Sequence, residues 1–147
     1  MAESLFVYGT LLPQSVPPYL RGLVNRLRWC GEACVRGVLF DLGESPGAIL
    51  DESTEARVFG GVVQLPEEGN VLAELDSYEG IDAASPDSGL FVRRRHQVLM
   101  DDGRTLECWV YEYNGDPRAP VIASGRYVKA GDKTGDRLKA PGVLRTR

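Results

Sequence analysis

The apolar residues of this chain fall in short runs separated by glycine- and proline-containing segments, and most runs have the composition of β-strands. Residues 5–8 (LFVY) are apolar at every position, which is typical of an internal strand buried on both faces. Four later runs rich in valine and aromatic residues also predict strands: 33–42, 56–65, 91–100 and 105–113. Glycines inside the first two of these predict β-bulges or sharp bends, and the DDGR sequence between the last two predicts a tight hairpin turn.

Two segments have the spacing of amphipathic helices. In residues 15–27, prolines follow Ser15 as a helix cap, and one face is apolar: Leu20, Leu23, Val24 and Leu27. Residues 69–80 form the clearest helix, with Asn70 as N-cap, Gly80 as left-handed exit, and an apolar stripe of Val71, Leu72, Leu75 and Tyr78. Together these elements predict an α+β fold, a small bent antiparallel β-barrel with two or three short flanking helices.

Length and composition predict one domain over residues 1–147. Hydrophobic residues make up 43% of the chain and charged residues 26%, which is typical of a globular protein. From Arg126 onward there are seven lysines or arginines and two aspartates. Because glycine and proline are interspersed among these charges, residues 128–147 are predicted to be a basic, partly mobile end rather than a nucleic-acid arm.

The overall charge and hydropathy restrict the partners. The formal net charge is −4, whereas phosphate binding needs a basic surface, so nucleic acid is not expected as a partner. No apolar run approaches the ~20 residues that cross a bilayer, and the short acidic start, Met1–Ser4, is unlike a signal peptide. We therefore expect a cytoplasmic protein with a small-molecule partner and no membrane partner. Its oligomeric state stays open.

The cysteines and the single histidine predict no metal centre. Cys30, Cys34 and Cys108 form an odd set without CxxC spacing, and no disulfide is expected from them. His96 has no second histidine with which to share a metal. A cysteine–histidine nucleophile would need a pairing that nothing in the sequence indicates.

Two other positions have both a structural and a functional interpretation. Glu79 directly precedes Gly80 at a helix end, where the helix dipole disfavours a charged carboxyl group and so raises its pKa, as suits a general base. On this helix alone, a glutamate pointing into water is the simpler interpretation. Gly9 ends a strand, either in a common turn or in a loop whose backbone N–H groups bind a carboxylate. Here too the turn is simpler when the segment is taken alone.

Taken together, the two segments change this assessment. VYGTLL (7–12) and LDSYEG (75–80) resemble the two signature segments of the γ-glutamylcyclotransferase-like, or AIG2-like, family. Other segments agree with the family in the same order: VRGVLFDL followed by PGA, then VFGGVV, VYEY and SGRY. The resemblance covers residues 5–127, and the Tyr-Gly-Thr-Leu form is closest to the γ-glutamylamine cyclotransferase branch.

The resemblance implies a role for each matching residue. Glu79 falls on the family's general acid/base. The γ-glutamyl group is held, largely through backbone atoms, by the loop of Tyr8, Gly9, Thr10 and Leu11. The family usually has an acidic residue where this chain has Arg126, so that edge of the pocket is expected to differ. Tyr127 and the loop N–H groups are candidates for stabilising an oxyanion.

The implied reaction is intramolecular and needs no metal or cofactor. The α-amine of a γ-glutamyl group attacks its own side-chain carbonyl, which gives 5-oxoproline and a free amine. Two alternatives stay open: a non-catalytic binding module with the same pocket, and an amidohydrolase in which Glu79 activates water. The sequence does not choose among γ-glutamyl amino acids, γ-glutamyl-ε-lysine fragments and acyl-γ-glutamyl intermediates as substrates.

Overall fold

The computed structural model describes residues 3–12, 16–43, 45–67, 69–82 and 84–128. Within these ranges there are six strands and three short helical segments. The strands are β1 (Ser4–Val7), β2 (Arg28–Asp41), β3 (Pro46–Leu50), β4 (Arg57–Gln64), β5 (Phe91–Met100) and β6 (Thr105–Tyr113). The helical segments are a 3-10 turn (Pro18–Leu20), α1 (Arg21–Val24) and α2 (Val71–Tyr78). Ser15 and residues 129–147, for which a helix cap and a basic end were predicted, lie outside the described residues.

Five of the strands close into a barrel. Their order around the ring is β1, β4, β2, β3 and β6, and β6 returns to pair with β1. β5 is an additional strand that pairs along β6 and contacts β2 at Ala33 and Cys34. The predicted α+β barrel with short helices is confirmed. The sequence did not predict that β6 runs parallel to both β1 and β3.

The core has two parts, and β1 contributes to both. Phe6 and Tyr8 belong to a cluster that takes residues from all five ring strands and fills the barrel. Leu5 and Val7 belong to a second cluster, in which the barrel wall meets buried residues of α2. Because alternate side chains of a strand point to opposite faces, a strand buried on both sides must be apolar throughout. This explains the unbroken apolar run at residues 5–8.

Helix α2 ends as the sequence predicts, although it begins differently. Gly80 has φ +79°, and the N–H of Ile81 donates to the carbonyl of Asp76 (2.9 Å), which is the hydrogen bond of a Schellman motif. Asn70 occupies the N-cap position, but its side chain makes no capping hydrogen bond. The glycine exit fixes the direction in which Glu79, the next residue after α2, leaves the helix.

The bulges predicted at internal glycines are wrong in position. The β2–β4 register runs unbroken through Gly60, and the β2–β3 register runs unbroken from Gly37 onward. A Cβ atom at Gly60 would collide with the carbonyl oxygen of Val7, so this glycine permits two strands to approach closely. The register shift in β2 lies instead between Trp29 and Gly31.

The first predicted helix is shorter than the sequence suggests. Only the 3-10 turn and α1 are helical, and together they cover residues 18–24. Leu20 is buried, and three partly buried residues pack against the same cluster: Leu23, Val24 and Leu27. None of the helices in the described ranges has the length and apolarity needed to cross a bilayer.

A buried carboxylate joins β3 to β6. Glu112 is 7% exposed and lies opposite Ala48, the single β3–β6 register pair. The backbone N–H of Leu50 donates to its Oε2 (2.8 Å), and His96 Nε2 lies 3.3 Å from its Oε1. Burial alone would raise the pKa of Glu112. The hydrogen bonds with His96 and Leu50 and the charge of Arg94 outweigh burial and leave the pKa below its ordinary value.

We predict that Glu112→Gln lowers the free energy of unfolding by about 1–3 kcal/mol at pH 7, because a buried hydrogen-bonding site loses its matched partner. A carboxyl group with a lowered folded-state pKa stabilises the fold above its unfolded-state pKa, so this contribution is lost as the pH falls below about 4.5. Urea denaturation at pH 7 and at lower pH measures both effects, and the gap between the two proteins should narrow in acid.

The matched control is Glu107→Gln on the same strand. Glu107 is exposed and lies 3.6 Å from Arg95, so its replacement should change the unfolding free energy by less than about 0.5 kcal/mol. Equal losses in both variants would contradict the structural role given to Glu112.

Candidate active site

A cavity of about 650 Å³ lies where the end of β1, the end of α2 and β6 meet. It brings together residues that are far apart in sequence. The sequence-predicted residues among its lining are Tyr8, Gly9, Thr10, Leu11, Glu79 and Tyr127. The cavity is also bordered by Tyr78 and Tyr111, for which the sequence suggested no role in a site.

Tyr8 is held inside the barrel. Its hydroxyl group donates to the backbone carbonyl of Tyr111 (2.5 Å) and accepts from the N–H of Ala48 (3.1 Å). Burial is the main reason why the pKa of Tyr8 lies far above its ordinary value, so the hydroxyl keeps its proton. Both hydrogen-bonding functions of the hydroxyl are therefore used within the fold. The prediction that the loop holds a substrate largely through its backbone stays a prediction.

The loop after β1 is a tight turn. The N–H of Leu12 donates to the carbonyl of Gly9 (2.9 Å), which leaves the N–H groups of the two central residues unused within the turn. Leu11 is buried in the core and anchors the turn. The hydroxyl groups of Thr10 and Tyr78 lie 2.8 Å apart and link the turn to the end of α2. The turn is thus fixed on the cavity wall at two points.

The absence of a side chain at Gly9 has a reason besides access for a ligand. A Cβ atom at this position would lie 2.7 Å from Cγ and 2.9 Å from Cδ of Pro46, at the start of β3. The proline ring is rigid, so it could not move aside as a flexible side chain would. Packing against Pro46 is therefore sufficient to require a glycine here.

Glu79 presents a carboxyl group to the cavity. Among the described lining residues it is the only one with a carboxyl group, and it makes neither a hydrogen bond nor an ion pair through that group with any described residue. Burial, and secondly the negative charge of Asp76, raise the pKa of Glu79 to about 7. The physical cause differs from the sequence argument, which relied on the helix dipole. The result is a carboxyl group that can take up or release a proton near neutral pH.

Asp76, Arg93 and Tyr111 form a hydrogen-bonded network near Glu79 that was not predicted from the sequence. Asp76, one helical turn earlier, accepts two hydrogen bonds from the guanidinium of Arg93 (2.8 and 3.1 Å) and one from the hydroxyl of Tyr111 (2.7 Å). The three-residue spacing of Asp76 and Glu79 places them on one helix face, and this spacing is visible in the sequence. Their partners are not, because they depend on how α2 packs against β5 and β6.

The outer edge of the cavity is open and largely aromatic. Tyr19 is 77% exposed and Leu90 54% exposed, and both contribute to the lining. Arg126, where the family pattern has an acidic residue, does not line the cavity. Its guanidinium lies 4.1 Å from the centre of the Phe59 ring. The neighbouring Tyr127 does line the cavity.

The remaining candidates lie elsewhere. Cys30, Cys34 and Cys108 are all free thiols, and none of them lines this cavity. Burial raises the pKa of Cys108 to about 11, which keeps the thiol protonated and unreactive at neutral pH. His96 is engaged with Glu112. No group of three metal-ligating side chains occurs among the described residues.

The sequence model of the family described as "Gamma-glutamyl cyclotransferase, AIG2-like" matches residues 5–129 of this chain. The chain belongs to that family. The match includes both the loop after β1 and Glu79, and it confirms the resemblance found in the sequence. A search of curated proteins found no match.

Solved structures share the fold of this AIG2-like chain. An AIG2-like protein from Mus musculus is 22% identical, with a TM-score of 0.66 over 86% of this chain and 88% of that one. A protein described as gamma-glutamyl cyclotransferase is 17% identical, with a TM-score of 0.60 over 82% and 72%. YkqA from Bacillus subtilis is 22% identical, with a TM-score of 0.64, and the match covers 86% of this chain but only 40% of YkqA. At these identities the likeness shows the fold alone.

Family membership supports a cyclotransferase-like function in general terms. It does not identify the substrate, and the roles of Glu79 and of the loop residues stay predictions. The structure adds their arrangement: a fixed turn whose two central N–H groups are not used within the turn, and, on the same cavity, a carboxyl group that pairs with no described residue.

We predict that Gly9→Ala lowers the free energy of unfolding by about 1–3 kcal/mol, because its Cβ atom would overlap the Pro46 ring. In the double variant Gly9→Ala, Pro46→Ala the overlapping atoms are absent, so its loss should be smaller than the sum of the two single losses. Urea denaturation of the four proteins of this cycle gives the coupling energy.

The control is Gly22→Ala, because a Cβ atom at Gly22 in α1 would meet nothing within 4 Å. This substitution should be neutral or slightly stabilising. If Gly9→Ala is as harmless as Gly22→Ala, the contact with Pro46 does not explain the glycine.

Proposed function

We propose that this protein converts a γ-glutamyl amine or γ-glutamyl amino compound to 5-oxoproline and a free amine, with Glu79 as the general acid/base. The observation that carries this proposal is the carboxyl group of Glu79, which pairs with no described residue and whose pKa is raised to about 7, on a cavity bordered by the turn after β1. Membership in the γ-glutamyl cyclotransferase family supports the reaction class.

The turn suits the carboxylate of a substrate. The N–H groups of Thr10 and Leu11 are not used within the turn, and adjacent N–H groups of this kind bind anions well. No lysine or arginine is among the described lining residues, so the backbone is the available source of positive potential. We place the α-carboxylate of the γ-glutamyl group against this turn.

The pKa of Glu79 matches the proton it has to move. An α-ammonium group of pKa ~7.7–8.0 must lose its proton before its nitrogen can attack a carbonyl carbon. Transfer of this proton to a carboxylate with a pKa of about 7 is unfavourable by only about one pKa unit, compared with more than three pKa units for an ordinary glutamate. The difference of more than two units corresponds to about 3 kcal/mol in the energy of the transfer.

The bond changes balance without a co-reactant. Once the first proton has passed from the α-ammonium group through Glu79 to solvent, the α-nitrogen forms a bond to the side-chain carbonyl carbon and gives up a second proton to Glu79. The bond from that carbon to the leaving nitrogen then breaks, and Glu79 passes this second proton to the leaving nitrogen, so that the free amine can take up a further proton from solvent. The product ring and the free amine then leave the cavity. Since the nucleophile is tethered to its target, the main tasks of the site are orientation and exclusion of water.

The cavity mouth favours a range of leaving amines. Tyr19 and Leu90 are exposed there, and the rings of Tyr19 and Tyr78 lie 6.3 Å apart. We place the leaving amine at this open, apolar edge and favour the γ-glutamylamine branch. A screen of γ-glutamyl-methylamide, γ-glutamyl-alanine and ε-(γ-glutamyl)-lysine, with 5-oxoproline detected by mass spectrometry, tests this choice.

We predict that Glu79→Gln lowers turnover of any active compound from this screen by about 10²–10⁴-fold, because the amide cannot take up the proton. The same change should stabilise the fold above pH 7, by an amount on the order of 1 kcal/mol. A carboxyl group with a raised folded-state pKa destabilises the fold once it is ionised. The gain should therefore disappear as the pH falls from 7 to below 4.5.

Glu74→Gln is the matched control, since Glu74 lies on the same helix, is exposed, and has its carboxyl group 3.8 Å from Arg26. It should retain full activity. Substantial turnover by Glu79→Gln would contradict the assignment of the base. If the native protein turns over none of the compounds yet binds them, the binding-module alternative is favoured instead.

The proposal also predicts which atom attacks the carbonyl. In water enriched in oxygen-18, cyclisation yields 5-oxoproline without label from the catalysed step, and acetylation of the substrate's α-amine abolishes the reaction. A tethered amine has an effective molarity of up to about 10⁵–10⁸ M, which is why we expect the ring to form in preference to hydrolysis. Labelled free glutamate as the main product would identify an amidohydrolase.

A further inference from the structure

Asp76 is a fixed anion. Its side chain is four-fifths buried and receives three hydrogen bonds, two from Arg93 and one from Tyr111. The paired bonds from Arg93 have the bidentate geometry in which guanidinium and carboxylate interact most strongly. The backbone carbonyl of Asp76 also accepts the Schellman bond from Ile81. Both the side chain and the backbone carbonyl of Asp76 are therefore hydrogen-bonded in the helical turn that precedes Glu79.

Arg93 is itself held in place from a second direction. Its guanidinium lies 4.2 Å from the centre of the Trp109 ring, and the guanidinium of Arg95 lies 4.1 Å from the same ring. Trp109 donates its ring N–H to Glu3 (2.7 Å), which also binds Arg95 (2.8 Å). The position of Arg93 is thus determined by its stacking on β6 as well as by its pairing with Asp76 of α2.

We propose that Asp76 and Arg93 are positioning residues for the Glu79 base: they fix the last turn of α2 against the β5–β6 hairpin and set the electrostatic field in which Glu79 exchanges its proton. The proposal rests on the proposed function of Glu79. It goes beyond it by assigning roles to two residues that do not line the cavity.

Three tyrosines that face Glu79 do not provide a competing charge near neutral pH. Tyr8 from the end of β1, Tyr78 from α2 and Tyr111 from β6 all interact electrostatically with Glu79, and burial raises the pKa of each of the three. Tyr127 lines the same cavity. Since Tyr8, Tyr78 and Tyr111 remain neutral, Asp76 is the negative charge that raises the pKa of Glu79 in addition to burial.

Opposite shifts are expected from the two partners. Asp76→Asn keeps the shape of the side chain but removes the charge, so Glu79 should lose its proton at a pH lower by roughly one unit. Arg93→Met removes the cation that compensates the charge of Asp76, so Glu79 should keep its proton to a higher pH, by a similar amount. A purely structural network would weaken the fold in both variants without moving the titration in opposite directions.

The experiment is a carbon-13 NMR titration of side-chain carboxyl groups from pH 3 to 9, with the Glu79 resonance assigned by comparison with Glu79→Gln. It uses the full chain and no substrate, so it tests the network even if the proposed reaction fails. Glu74→Gln removes an equal charge from the exposed side of α2 and should leave the Glu79 midpoint unchanged within about 0.3 units.

A Glu79 midpoint that is the same in Asp76→Asn as in Glu74→Gln would overturn the proposal. So would a downward shift in Arg93→Met. If Asp76→Asn does not fold, the upward shift in Arg93→Met decides the question alone. Once a substrate is known, the acid limb of kcat/KM should move in the same directions. A lower maximum of kcat/KM without a shift of its acid limb along the pH axis would indicate a structural role only.

Discussion

One buried hydroxyl group links three strands of the barrel. Tyr8 lies at the end of β1, and its hydroxyl donates to Tyr111 in β6 and accepts from Ala48 in β3. A buried hydroxyl without partners would cost about 1–3 kcal/mol, so the three strands are constrained to meet at this point. Because Gly9 follows directly, the hydrogen bond from Tyr8 to Tyr111 also positions the turn on the cavity.

The site combines strongly paired and unpaired charges within one helical turn. Asp76 has all the partners a buried carboxylate requires, whereas Glu79, three residues later, has none among the described residues. Burying an unpaired carboxyl group opposes folding, and the fold offsets this with the packing of α2 on the barrel. The paired charge keeps the backbone in place, so the unpaired group can change its protonation state without moving the helix.

The features that could be predicted from the sequence are those that depend on residues close together in the chain. The strand at 5–8, the exit of α2 at Gly80 and the hairpin turn at Gly103 all follow from local patterns that the structure retains. The roles of Glu79 and of the loop after β1 were predicted through family resemblance, since each segment taken alone has a simpler local explanation. What escaped prediction depends on tertiary contacts: the close approach at Gly60, the packing of Pro46 on Gly9, the parallel strands beside β6 and the partners of Asp76.

The distance along the chain between paired strands has a consequence for folding kinetics. β5 and β6 form a hairpin across a short turn, which is a local and rapid event. The Tyr8–Tyr111 bond instead connects residues 103 positions apart, so it carries the loop-closure entropy of most of the chain. We expect the β5–β6 hairpin, which carries Arg93, to form early and the pairing of β1 with β6 to form late. Recovery of the complete cavity after dilution from denaturant should therefore lag behind recovery of the hairpin's structure.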